Sequence, residues 1–500
     1  MNSPVRPLRK YLCPIVLGIA VFACMALYFS RLHPLYITNT DDWTYIAYWR
    51  DATPIWEDWN PTRVLPEILM PIMGAFGAYV VMPFVNDYVD AQMVSAALFV
   101  SLAVTCYVLC FYHIARQRLC DRDWTAATLS VLFLVLHFLM FREQQSDNRH
   151  LLYSFCVTNY FYYTIPNLLN ASLAMLYAAG YWGKEDGLPQ PTLRNGMIAL
   201  CVYLALLSNL FASIILAAVV GTSLVIRLVR TIRTRGSILT YAKHNLVSIV
   251  VIVAWFIVQY YEMNGGRASS LESDTPLLAR MVTTMQMLFS TVRETNHWCD
   301  EFIAISLVAG AIVCIRHQED ASFRATLRIM ALQLLSLILT VAYLCVVCAS
   351  SGPGFITRTD VSFAVYYVFV AASLFGCAVV LKRLPPVRIA LPILTLILAC
   401  SCNTLGRTYM ESYMLSVAPQ TMRAIDRDIV SQVVDASENG KKKVDVLVPK
   451  VSGSPDNFPF ANYGGDKARN ALVVHGVIPD GIQVTFVPSR EKAQSYGIKQ

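Results

Sequence analysis

Blocks of about twenty apolar residues with few or no internal charges recur from the start of the chain to about residue 402, each long enough for a helix to cross roughly 30 Å of hydrocarbon. With 56% of its 500 residues hydrophobic and only 15% charged, the chain has more apolar surface than a soluble fold of that length can bury. Lipid must therefore serve as part of its solvent. A membrane barrel would alternate with period two, whereas these blocks are continuous. The pattern predicts an all-α polytopic membrane protein.

Eleven blocks are good crossing candidates: residues 11–29, 93–114, 125–141, 160–181, 197–207, 211–226, 246–261, 302–315, 329–349, 361–381 and 389–402. The first follows Arg6, Arg9 and Lys10 and ends without a small-residue cleavage site, which predicts a retained helix rather than a signal peptide. A further block, 64–85, carries Pro66, Glu67, Pro71 and Pro83 and is expected to form a broken helix pair at the outer interface. A rival count makes it cross and fuses 197–226 into one helix. The net charge of +7 sits between apolar blocks, so it encodes topology and not contact with nucleic acid. Arg227, Arg230, Arg233, Arg235 and Lys243, like Lys382, Arg383 and Arg388, are expected on the cytoplasmic side.

Counting back from that anchor gives about eleven crossings, with Arg116, Arg118 and Arg122 inside. Four polar stretches then face outward: 31–63, 142–160, 262–301 and 350–360. Beyond 402 the sequence becomes soluble in character, with an amphipathic pattern at 417–434 and strand-like runs at 444–448 and 482–487. The expected organisation is a transmembrane domain over 1–402 and a small extracytoplasmic α/β appendage over 403–500. Most of the fourteen cysteines lie inside apolar blocks as small hydrophobes. Cys156 and Cys299 fall in outward stretches, where a bridge between them is an option.

The candidate chemistry lies in the polar stretches. Asp41 and Asp42 stand together just beyond the first helix, followed by Trp43, Trp49, Trp56 and Trp59. Adjacent acids repel and packing does not need them, so they are read as catalytic, one as a general base. The tryptophans can stack a sugar or form an interfacial aromatic belt. Arg142 and Arg149 lead into the run that holds Tyr162 and Tyr163. Those arginines can clamp a phosphate bidentately while the tyrosines line a lipid-facing cleft, the alternative being ordinary helix-end charges. Arg63, Arg293 and Arg358 are further cations for substrate binding. With no Walker loop, no dinucleotide fingerprint and no HExxH, nucleotide-driven transport and zinc hydrolysis find no support. The scarcity of acids within the crossings weighs against a carrier.

With Asp41, Asp42 and Trp43 behind a first helix, Tyr163-Thr164-Ile165-Pro166 entering another, and Ser208-Asn209 between two apolar halves, the chain resembles the polytopic membrane glycosyltransferases of the C-type fold. The nearer likeness is to bacterial enzymes that modify O-antigen with glucose. The resemblance implies a bacterial inner-membrane enzyme with a polyprenyl-phosphate-linked sugar as donor and a glycan or lipid-linked acceptor on the extracytoplasmic face. It also implies an acidic base in the first outer loop and arginine at the departing phosphate. The acids are adjacent rather than spaced as D-x-D, so no cofactor and no obligatory metal is expected. A flippase or carrier for lipid-linked glycans and a membrane glycan polymerase are the alternatives.

Overall fold

A computed structural model describes residues 6–50, 60–141, 149–183, 190–265, 275–384, 387–401, 415, 417–454 and 456–498. Helix α1 (Arg6–Leu27) runs through a widened turn (Tyr28–Leu32) and an extended stretch to the short α2 (Thr40–Tyr45). Then come α3 (Val64–Phe76), α4 (Met82–Val85), α5 (Tyr88–Ile114), α6 (Asp123–Leu139), the single turn α7 (Val157–Asn159), α8 (Ile165–Ala178) and α9 (Leu193–Leu206). The apolar part continues with α10 (Leu210–Arg233), α11 (Ile238–His244), α12 (Leu246–Met263) and α13 (Leu277–Arg293). It closes with α14 (His297–Arg316), α15 (Ala321–Ser351), α16 (Thr359–Arg383) and α17 (Val387–Ser401).

Among the described residues, eight helical runs are long and apolar enough to cross a membrane, and Asp123–Leu139, Leu193–Leu206 and Arg388–Cys400 are shorter apolar helices. The protein is thus a helical, multi-pass membrane protein. The run Thr359–Arg383 is central, with 83% of its most apolar window buried. Tyr11–Leu32, Leu246–Met263 and His297–Arg316 bury only 28% and leave an apolar face outward, as lipid-facing helices do. Where α14 crosses α16, a Cβ on Gly310 would stand 2.3 Å from the Gly376 Cα, so a side chain there would push the helices apart.

One expectation changes. The block 64–85 is not a broken pair: Pro61–Val85 is one continuous apolar helical run. Pro66 falls in the first turn of α3, where no intrahelical N–H is needed, and the widened turn at Gly77–Val81 takes up the carbonyl that Pro83 leaves; Gln92 Nε2 also donates to the Gly74 carbonyl at 3.0 Å. The rival count's fusion of 197–226 into one helix does not occur, and the preferred separation stands as Leu193–Leu206 and Leu210–Arg233. Asn209 caps α10, its Oδ1 accepting from Phe211 N at 2.7 Å, and the Leu207 carbonyl turns to accept from Leu65 N at 3.0 Å.

No disulfide joins Cys156 and Cys299. An expectation of no C-x-x-C pair is corrected by Cys345 and Cys348, which have that spacing, and both are buried thiols outside any disulfide within the apolar α15.

The C-terminal region folds as α18 (Pro419–Glu438), β1 (Lys443–Pro449), α19 (Gly464–Val474), β2 (Gln483–Ser489) and α20 (Arg490–Ser495). Its two strands pair in parallel, from Lys443 opposite Gln483 to Pro449 opposite Ser489. This unit is docked and not a loose appendage. Arg423 and Arg427 of α18 pair with Asp87 and Asp90 at the start of α5. Burial pushes His475 down to about 4, so its neutral ring accepts the Tyr88 hydroxyl at 2.7 Å. Thr40 N donates to the Pro459 carbonyl at 3.2 Å, which fixes α2 against the same unit.

Between those two arginines Asp426 turns inward, is 1% exposed, and among the described residues neither carboxylate oxygen has a hydrogen-bond partner. Burial, with the nearby Asp42 carboxylate adding to it, raises the Asp426 pKa well above the ordinary range. The folded value lies above the unfolded one, so the protonated acid favours folding and that contribution is lost as pH rises through the elevated value. Asp426→Asn should therefore raise the melting temperature relative to the unaltered protein. The gain should grow as pH rises from about 5 to about 8 and shrink toward about pH 4, measured by thermal unfolding in detergent. A gain that does not vary with pH would show that Asp426 does not titrate there.

Candidate functional site

The two adjacent acids of the first polar stretch have opposite fates. Successive residues on a helix point about 100° apart, so on the short α2 one of the pair must turn away from the other. Asp42 is fully buried. Its Oδ2 accepts from Thr38 N at 2.9 Å and Thr38 Oγ1 at 3.1 Å, and its Oδ1 accepts from Thr158 N at 2.7 Å and Thr158 Oγ1 at 2.6 Å. Burial raises its pKa, and the four donors oppose that rise. The expectation of an exposed loop acid free of packing duty is corrected for Asp42, which staples the approach to α2 onto α7. Asp41 is exposed.

A second buried carboxylate, Glu67, stands one turn inside α3. Arg50 Nη1 donates to its Oε2 at 2.8 Å, Tyr162 Oη donates to its Oε1 at 2.9 Å, and Arg63 Nη1 lies 3.8 Å from Oε1. Tyr45 packs on Tyr162 with ring centroids 5.0 Å apart. Both residues that this hub orders toward the interior, Arg63 and Tyr162, line a cavity of about 740 Å³.

All four polar stretches singled out in the sequence contribute to that cavity or flank it. Arg63 ends the first, Tyr162 and Tyr163 follow the second, Glu262 and Arg280 belong to the third, and Ser350 and Phe355 to the fourth. Between them the walls are apolar surfaces of α10, α12 and α15, including Phe211, Trp255 and Val346. Polar wall groups are largely satisfied by one another: Tyr343 Oη donates to Gln259 Oε1 at 2.5 Å, and Trp255 Nε1 donates to Ser213 Oγ at 3.1 Å. Two charged groups are not. Glu262 accepts only Thr62 N, at 3.3 Å, and among the described residues makes no ion pair. Arg280 reaches the Ser350 carbonyl at 3.5 Å through Nη1, while its buried Nε has no partner among the described residues.

The remaining candidates divide. Arg358 forms a two-pronged pair with Asp360, Nε to Oδ1 at 3.0 Å and Nη2 to Oδ2 at 2.8 Å, and lies over the Tyr163 ring at 4.5 Å. It braces the cavity wall from behind and does not line the cavity. Arg149 is taken up by Glu294 at 2.8 Å and by the Phe141 ring at 5.5 Å, and is no part of the lining. Arg293 is exposed at the end of α13, also outside the lining. Arg142 lies outside the described residues. From the sequence, Glu67 counts only among the features that break the block 64–85, Arg280 is one of several third-stretch cations for a head-group phosphate with no basis for choosing it, and Glu262, at the end of an apolar run, carries no role. Among the described residues no group of three or more His, Cys, Asp or Glu side chains could hold a metal ion.

The contrast between the two acids is measurable. Asp42→Asn puts an amide N–H₂ against a backbone N–H, of Thr38 or Thr158, that cannot turn into an acceptor, so it should cost about 1–3 kcal/mol of stability. Asp41→Asn, on the exposed face, should stay within about 0.5 kcal/mol. Thermal unfolding of the purified variants in detergent reads both, and equal effects would contradict the staple.

No family model, no curated protein and no solved structure matches this chain.

Proposed function

We propose that this chain is a membrane glycosyltransferase of the C-type architecture. It takes a sugar from a polyprenyl-phosphate donor and passes it to a glycan or lipid-linked acceptor at the extracytoplasmic face of a bacterial inner membrane. The observation that carries the reading is the cavity itself. It combines apolar walls from candidate membrane spans with a carboxylate, Glu262, and an arginine, Arg280, that among the described residues make no ion pair, Arg63 being the cation that acts on Glu262 from a distance. A buried N–H left without an acceptor costs about 1–3 kcal/mol, which an anionic oxygen bound at Arg280 would recover. An amphiphile with a charged head suits such walls better than a free sugar nucleotide does.

In this mechanism the acceptor hydroxyl oxygen attacks the anomeric carbon as the bond from that carbon to the phosphate oxygen breaks. The hydroxyl proton passes to the Glu262 carboxylate, and the electron pair of the broken bond leaves with the lipid phosphate. Arg280, with Arg63 beside it, faces the charge that develops there. Tyr162 and Tyr163 offer ring faces and hydroxyls to the sugar. Of the acid pair expected to supply the base, only Asp41 has the exposure to meet an acceptor, and it is the second choice because it does not line the cavity.

With purified protein in vesicles containing a polyprenyl-phosphate sugar, Glu262→Gln should lower transfer by about two to four orders of magnitude with donor binding little changed. Arg280→Gln should weaken donor binding, and Arg280→Lys should restore only part of it, because lysine lacks the planar fork. Full transfer by Glu262→Gln moves the base to Asp41, which Asp41→Asn then tests. Full transfer by both variants overturns this mechanism. Donor movement across the bilayer without transfer by the unaltered protein would make it a carrier.

A further inference from the structure

A second concavity, of about 910 Å³, runs along the outer surface of the helices and is almost wholly apolar. Cys106 and Cys110 of α5, Leu169 and Leu176 of α8, and Met197 and Cys201 of α9 line it in successive turns. Both α5 and α8 run down the groove and α9 runs back up it, so one end collects the bottom of all three. There the character changes. His113, Arg194 and Tyr181 form that end, the His113 and Tyr181 ring centroids 4.8 Å apart. Arg118 lies over the Tyr181 ring at 5.3 Å, and Arg194 donates to the Tyr181 carbonyl. Both arginines are exposed, and neither is paired with a carboxylate among the described residues.

We propose that this groove binds an anionic glycerophospholipid, with acyl chain along the apolar walls and phosphate between Arg118 and Arg194. Charge complementarity names the occupant. A long apolar trough gives no grip to free phosphate, and two guanidinium groups at its mouth that no described carboxylate pairs favour an anionic head group over a zwitterionic one. Tyr181, amphipathic and at the junction, suits the level where head group meets chain. The site is separate from the charged cavity. Tyr162 and Tyr163 precede α8, whereas Tyr181 follows it, so the two charged ends are separated by the length of that helix, about 20 Å. The groove therefore takes its lipid from the opposite leaflet, beside the basic connector around Arg116 and Arg118.

The test uses the full chain purified in a neutral detergent, with lipid binding read by native mass spectrometry and by the shift in melting temperature. The probes are dioleoyl phosphatidylglycerol, dioleoyl phosphatidylcholine and glycerol 3-phosphate. Phosphatidylglycerol should bind at least about tenfold more tightly than phosphatidylcholine, and glycerol 3-phosphate should give no shift. The double variant Arg118→Gln, Arg194→Gln should lose the preference, a loss on the order of twenty- to thirtyfold if each cation contributes as basic residues at lipid surfaces do. Met197→Trp, on an exposed wall position, should weaken both lipids with the arginines intact. Equal affinity for the two lipids, a preference that survives the double substitution, or binding unchanged by Met197→Trp each overturns the proposal. A glycerol 3-phosphate shift equal to that of phosphatidylglycerol overturns it in favour of a simple anion site.

Discussion

The Asp42 carboxylate holds together two stretches 116 residues apart, and the rest of the charged architecture depends on that junction. Two of its four donors are backbone N–H groups, which can only donate, so the site suits an acceptor at each oxygen. A buried acid is costly when its lone pairs face hydrocarbon, and here hydrogen bonds from Thr38 and Thr158 replace those lost from water. With that carboxylate in place, α2 has one orientation: Tyr45 meets Tyr162, and Thr40 meets the backbone of the C-terminal unit. The widened turn at Tyr160–Thr164 then delivers Tyr162 and Tyr163 to the cavity.

Three buried acids surround this region, and what each has found decides what is left for substrate. Asp42 is filled by hydroxyl and backbone donors. Glu67 is filled by Arg50, Arg63 and Tyr162. Asp360 is filled by Arg358 and by Ser154 Oγ at 3.1 Å. Ion pairs of this kind add little net stability, since desolvation offsets most of the attraction, but breaking one strands a charge. Their effect is therefore positional: they hold Arg63, Tyr162 and Tyr163 in fixed places. Glu262 and Arg280 have no such filling among the described residues, and in the proposed mechanism an anionic head group and a hydroxyl acceptor would complete both.

The apolar blocks made the helices legible, because any uncharged twenty-residue run must satisfy its own backbone in lipid. Period and turn chemistry likewise marked the C-terminal unit, where the strand-like runs 444–448 and 482–487 became Lys443–Pro449 and Gln483–Ser489. The prolines of 64–85 misled, because a first-turn position and a widened turn absorb backbone defects that look fatal in one dimension. Close approach also favours the helical path, since a Cβ on Gly74 would lie 2.2 Å from the Ile46 carbonyl. Charges were the hardest to read. Spacing cannot tell that Arg149 is consumed by Glu294 while, among the described residues, Arg280 is left with a bare Nε, because the partner comes from a distant helix. Nor can adjacency reveal that one acid of a pair turns inward.

The docking of the C-terminal unit follows from the same bookkeeping. Arg423 and Arg427 are each about two-fifths exposed, so their pairs with Asp87 and Asp90 lie in screened surroundings where an ion pair contributes about 0–1 kcal/mol. Those pairs set register more than strength. The strength must come from burial, where Met422, Ile425 and Ile429 of α18 share one apolar core with α5 and the first polar stretch. Asp426 sits within that buried face with no donor among the described residues, so it subtracts from docking whenever it is ionised. The contact that orients α2 from outside is therefore its least satisfied one, whereas the contact that orients it from within, at Asp42, is filled. Any loosening of the C-terminal unit would begin at α18 and leave the Thr38–Asp42–Thr158 junction, and with it the cavity wall, in place.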